Sequence, residues 1–97
     1  MNINKSKDGN SLNIALEGRL DTTTAPQLDE EIKALDGVAK LVFDFSKLEY
    51  ISSAGLRVLL SAQKIMNKQG SMVIKNVSDE IKEIFEVTGF IDILTIE

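Results

Sequence analysis

A chain of 97 residues with a formal net charge of −4 has room for one domain, and its 43% apolar content suits an ordinary globular one. The acidic balance argues against a nucleic-acid binder, because phosphate backbones reward clustered Lys and Arg. Cysteine and histidine are both absent, which excludes disulfides, thiolate and imidazole metal sites, Ser-His-Asp triads and phosphohistidine carriers.

The first ten residues, MNINKSKDGN, lack the apolar core of a signal peptide. No apolar run approaches the ~18 residues of a membrane span, so a cytoplasmic protein is expected. Residues 1–7 alternate weakly, as an edge strand would, and Asp8-Gly9-Asn10 is a turn signal. Leu12, Ile14 and Leu16 then share one face of a half-buried strand, completing an N-terminal hairpin. Gly18-Arg19-Leu20-Asp21 breaks that strand. Pro26 suits a first helical turn, and Thr24 with Gln27 fits a capping box. Leu28, Ile32 and Leu35 follow at helical spacing, Asp29 is placed to pair with Lys33, and the helix should stop near Asp36-Gly37.

Leu41-Val42-Phe43 marks a central strand covered on both faces. Residues 46–50 read as a loop, followed by Ser52 and Ser53 and a long amphipathic helix ending at Gln69-Gly70. Residues 71–75 form another short strand. Ser78 caps a further helix, with Asp79 and Glu80 in its positive first turn and Ile81, Ile84, Phe85 and Thr88 along one face. The final apolar stretch, residues 90–96, reads as a loop and short strand. The expected fold is α/β in the order β-β-α-β-α-β-α-β. Its sheet is mixed and mainly parallel, with an antiparallel edge and helices packed against it. Sites in such sheets favour the carboxyl ends of strands. The segments around residues 18–24 and 46–53 could both lie there.

The serine pair stands where free amides and the positive end of a helix dipole meet. Capping is one reading of it. The other is a phosphorylation site, because a phosphate there would be tolerated by the fold while changing the surface. Arg57, Ser61, Lys64 and Lys68 step along one polar face, either a solvated face or a partner surface. Asp44 would either bond its own loop or bring a carboxylate near Ser53. Asp21 would either bond within its turn or sit beside the serine loop. Neither has a companion at metal-ligand spacing. An enzyme built on Ser53 with Lys64 as base is disfavoured, since Lys64 is about three helical turns away.

Gly18-Arg19-Leu20-Asp21, and above all the run from Asp44 through Phe45, Leu48, Tyr50, Ile51, Ser52, Ser53, Ala54, Gly55, Leu56 and Arg57, resemble the STAS domain. The likeness is to stand-alone bacterial anti-sigma factor antagonists, and it spans residues 1–97 as one domain. In that family the serine two residues before the motif glycine is phosphorylated; with Gly55 as that glycine, the match is Ser53. Many members carry Asp before the phosphoserine, where this chain has Ser52, and Ser or Thr after it, where this chain has Ala54.

The resemblance implies a partner-switching cycle without catalysis, cofactor or metal in this domain. The unphosphorylated protein, a monomer when free, binds an anti-sigma factor that is also a serine kinase, and so frees a sigma factor. Phosphorylation of Ser53 weakens the complex, and a PP2C-like phosphatase with its own divalent metal resets it. Asp21, Thr22, Asp44, Ser52, Ser53, Ala54, Gly55 and Arg57 are the expected partner-binding residues. The alternative is a non-switching STAS subunit of a transporter or signalling complex, in which Ser53 only caps.

Overall fold

In the computed structural model, which describes residues 1–97, a four-stranded sheet carries three α-helices on one face. The strands are β1 (Asn2–Asp8), β2 (Ser11–Leu20), β3 (Lys40–Ile51) and β4 (Ser71–Lys75), and they lie side by side in chain order. β1 and β2 form the antiparallel hairpin expected from Asp8-Gly9-Asn10, and Gly9 takes the positive φ of 62° that its turn needs. The β2–β3 and β3–β4 pairings are parallel. Their crossovers are α1 (Ala25–Ile32) and α2 (Ser53–Gln69), and α3 (Asp79–Thr88) follows β4.

Two right-handed crossovers that step the same way along a sheet put both helices on one face. The core reflects this. Leu41, Phe43, Phe45, Met72 and Ile74 join residues of all three helices in one cluster of 24 buried side chains. Val42 and Val73 are buried but stand outside that cluster, on the opposite side of the pleat. The central strand is thus covered by helices on one face, not on both as its apolar run suggested.

β3 is longer than expected. Residues 46–50, expected to form a loop, continue the strand to Ile51. Its pairing with β2 slips twice, between Ala15 and Glu17 and between Gly18 and Arg19, and each slip gives β3 one extra residue. The bulges stretch the inward period from two to three, so Phe45, Leu48 and Ile51 all face the core. β2 also runs on through Gly18 to Leu20; Gly18 absorbs the irregularity with φ of 99°.

Helix ends differ in detail from expectation. Thr24 precedes α1 but its side chain makes no cap bond, so the box with Gln27 does not form. Its hydroxyl donates to the Arg19 carbonyl and accepts from the Asp21 amide, both at 2.8 Å. α1 ends at Ile32, short of Asp36-Gly37, although Leu28, Ile32 and Leu35 are all buried. Lys33 pairs with Asp29 at 3.5 Å as expected, and with Glu30 at 3.4 Å. The chain end contributes one parallel bridge, Ile74 to Ile96, instead of a strand, because a 3₁₀ turn at Phe90–Asp92 consumes the preceding residues.

α2 is fixed at both ends. At its start, Gly55 faces Leu20 and Ile51 so closely that a Cβ would stand 2.7 Å from Leu20 Cγ. At its end, a Cβ on Gly70 would overlap the Ala39 carbonyl. Nearby, the Gln69 amide donates to the carbonyls of Leu35 and Val38, at 2.6 and 2.7 Å. No helix is long and apolar enough to cross a membrane.

Candidate functional site: the start of helix α2

Parallel pairing brings the ends of β2 and β3 together. The Ser52 amide donates to the Leu20 carbonyl at 2.9 Å, which places the turn after Leu20 beside the start of α2. Ser52 itself is the N-cap, in extended conformation with its Oγ accepting from the Gly55 amide at 3.4 Å. The first intrahelical bond runs from the Leu56 amide to the Ser52 carbonyl. The amides of Ser53 and Ala54 therefore face outward from the helix start.

Ser53 is the first helical residue, exposed, and its hydroxyl makes no hydrogen bond. The two serines have divided the roles left open by the sequence: Ser52 caps, and Ser53 presents a free hydroxyl. The first turn of α2 holds no acidic side chain, whereas α3 has Asp79 and Glu80 there. A negative group on Ser53 would occupy the position where the helix dipole favours one.

Asp21 lies on the adjoining turn. Its carboxylate accepts from the Thr23 hydroxyl at 2.7 Å and from the Thr23 and Thr24 amides at 3.0 and 3.2 Å. The Thr23 hydroxyl is the main cause holding its pKa below the usual carboxylate value, with the amide bonds adding to it. Asp21 thus closes its own turn ahead of α1, whose first-turn amides receive no side-chain cap.

Thr22, Ala54 and Val58 line one shallow groove of about 250 Å³ with Ala25, Pro26 and Asp29. Thr22 is thereby brought beside Ala54, the residue that follows Ser53. Arg57 is exposed one turn along the helix, and Ser61, Lys64 and Lys68 continue its stripe. Gly55 is different: it is buried against Leu20 and Ile51, so it sets how closely the helix approaches the strands and offers no side chain to a partner.

Asp44 does not belong to this cluster. The span of β3 from Asp44 to Ile51 is roughly 20 Å at ordinary strand rise. Asp44 pairs with Lys75 in the ladder and accepts from Asn76 Nδ2 at 3.0 Å and from the Ser46 amide at 2.9 Å. Those two bonds, the Asn76 one first, hold its pKa below the usual value. It holds the β4–α3 connection in place. Of the two roles left open for Asp44, it takes the first and bonds its own segment through the Ser46 amide; approach to Ser53 would have required residues 46–50 to be a loop.

Two residues of the site escaped the sequence reading of roles. The Arg19 guanidinium lies 4.3 Å from the Tyr50 ring centroid, and its Nε is 3.8 Å from Asp21 Oδ2. Tyr50 is 37% exposed, a large apolar surface at the serine end of the sheet. The signal was present in the flanks of both motifs, but only the bulged β2–β3 register pairs Arg19 with Tyr50. No group of three or more acidic, His or Cys side chains is arranged to hold a metal.

The family model described as "Mlab, STAS domain" matches residues 3–95. BtrV of Bordetella bronchiseptica is 35% identical over 99 residues, a match covering 99% of this chain and 85% of that protein. The anti-sigma-B factor antagonist of Listeria monocytogenes is 32% identical over 104 residues, covering 100% of this chain and 90% of that one. Among solved structures, the Bacillus cell fate determinant SpoIIAA in its phosphorylated form superposes with a TM-score of 0.77 at 18% identity, over 99% of this chain and 91% of that chain. The chain belongs to the STAS family, within the group that includes the anti-sigma factor antagonists.

Proposed function

We propose that this domain is a phosphorylation-controlled partner switch: an anti-sigma factor antagonist whose switch residue is Ser53. The observation that carries the reading is the division of labour at the start of α2. Ser52 makes the cap, so Ser53 has an uncommitted, exposed hydroxyl on a helix turn without a carboxylate. The relatives named as anti-sigma factor antagonists, and the phosphorylated form of SpoIIAA with the same fold, support it.

In the unphosphorylated state the groove at Thr22 and Ala54, with Asp21, Ser53 and Arg57 around it, docks an anti-sigma factor that is itself a serine kinase. Docking frees the sigma factor, so the domain works in the cytoplasm. The kinase then transfers the γ-phosphoryl group of ATP. A bond forms from Ser53 Oγ to phosphorus, the bond to ADP breaks, and the hydroxyl proton leaves to a base of the kinase.

The modified residue carries about −1.5 to −2 charges and three acceptor oxygens. Its bulk and charge sit inside a close-packed interface, where acids of the kinase repel it and the complex weakens. A PP2C-like phosphatase hydrolyses the ester and resets the cycle.

The test is incubation with the cognate anti-sigma factor kinase and ATP, followed by mass spectrometry. One phosphate on Ser53, and none on Ser53→Ala, is expected. An unmodified wild-type protein in the presence of an active kinase would favour a non-switching STAS subunit instead.

A further inference from the structure

Helix α2 is one-sided in charge. Arg57, Lys64 and Lys68 are its only charged residues, in a chain whose net charge is −4. The ion pairs of the protein all lie elsewhere, on Lys5, Arg19, Lys33, Lys47 and Lys75. Arg19, the other arginine near the serines, is engaged by Asp21 and Tyr50. Arg57 has no such partner. It stands four residues after Ser53, the spacing that puts two side chains on one helix face with Cβ atoms about 5–6 Å apart. Both are exposed, and no acid in the first turn of α2 competes for the guanidinium.

We propose that Arg57 is the intramolecular receiver of a phosphate on Ser53. Its guanidinium folds back one turn and makes a charge-assisted, bidentate contact to two phosphoryl oxygens, the geometry for which arginine is suited. The inference rests on Ser53 being the modified residue. In the unmodified protein Arg57 is free to meet an acidic group of the partner. After modification the same side chain is occupied, so the switch withdraws a cation from the docking surface as well as adding an anion to it. Arg57 is then a positioning residue for the phosphoserine, which it holds along the helix.

The experiment needs no kinase. Phosphoserine is installed at position 53 during synthesis of the full chain, and its second ionisation is followed by phosphorus NMR against pH. A free phosphoserine titrates near pH 6. Arg57→Gln is expected to raise the value seen in the wild-type chain by roughly 0.3–0.7 unit, the scale of one exposed charge pair. Arg57→Lys should restore part of the difference. Lys64→Gln makes the same charge change two turns further on and should leave the titration in place. Slowed exchange of the Arg57 Nε proton, present only in the phosphorylated chain, reports the contact directly. Identical titration of wild type and Arg57→Gln overturns the proposal, as does an equal shift in Lys64→Gln, which would reveal a diffuse field. A failed kinase assay with the Arg57-dependent shift intact would remove Ser53 as the physiological switch and leave the pairing standing.

Discussion

Gly55 rests against Leu20 with no room for a side chain: a Cβ would stand 2.7 Å from Leu20 Cγ and 2.9 Å from Ile51 Cγ1. This contact, with the 2.9 Å bond from Ser52 to the Leu20 carbonyl, sets the position of Ser53 relative to the Asp21 turn. Gly55→Ala must displace fully buried Leu20 and Ile51. It should cost about 1–3 kcal/mol, the usual range for overpacking. Thermal denaturation should show a loss of roughly 4–8 °C per kcal/mol for a domain of this size. An unchanged melting temperature would mean that the contact is not a constraint.

The neighbouring serines should respond in opposite ways. Ser52→Ala removes the cap on the Gly55 amide and should destabilise by about 0.5–2 kcal/mol, leaving the Ser53 hydroxyl available for phosphate. Ser53→Asp adds a negative charge to a first turn that lacks one and should stabilise by about 0.3–1 kcal/mol. The same substitution should weaken binding to the partner kinase. Urea unfolding beside calorimetric titration separates the two effects, and a Ser53→Asp protein that is less stable than wild type would contradict the account of the helix start.

Tyr50 has no partner in the core, yet it carries the Arg19 guanidinium on its ring. Exposed aromatics of this kind dominate interface energetics. Tyr50→Ala should reduce affinity for the partner kinase by tenfold or more, a cost above about 1.4 kcal/mol. Circular dichroism should remain native. Unchanged affinity would place Tyr50 outside the docking surface.

The acid limb of the stability curve should depend on Asp44. Its folded pKa is lowered, first by Asn76 and then by the Ser46 amide, so its contribution is complete above the unfolded value near 4 and is lost as pH falls below that. Asp21 and Glu17 are lowered too, and act in the same direction. Urea midpoints measured between pH 7 and pH 3 should fall for the wild type. Asp44→Asn should fall less over the same range. Parallel curves would show that the Asn76 and Ser46 bonds do not favour the ionised form.

The serine pair, the hairpin, the parallel crossovers and the apolar arc of α2 were legible because each is written in local periodicity or in a capping residue. The second half of β3 was not. Phe45, Leu48 and Ile51 recur every three residues, a spacing foreign to a regular strand, and only the two extra residues accommodated against β2 turn that spacing into one buried face. The choice between the two roles of Asp44 stayed open for the same reason. Thr24 misled for a different reason. Its hydroxyl turns back instead, donating to the Arg19 carbonyl and accepting from the Asp21 amide, and so does not reach the Gln27 amide. Exposed residues such as Arg19 and Tyr50 acquire their relationship only through cross-strand register, which no local pattern encodes.

The central claim is that phosphate on Ser53 decides whether the domain holds its partner. The most direct measurement is the affinity of the cognate serine kinase, with ADP bound, for the purified domain before and after stoichiometric phosphorylation. The unmodified domain should bind, and the Ser53-phosphorylated domain should bind at least tenfold more weakly. Treatment with a PP2C-like phosphatase should restore the first value. Equal affinity of the two forms, with the phosphate confirmed on Ser53, would contradict the account.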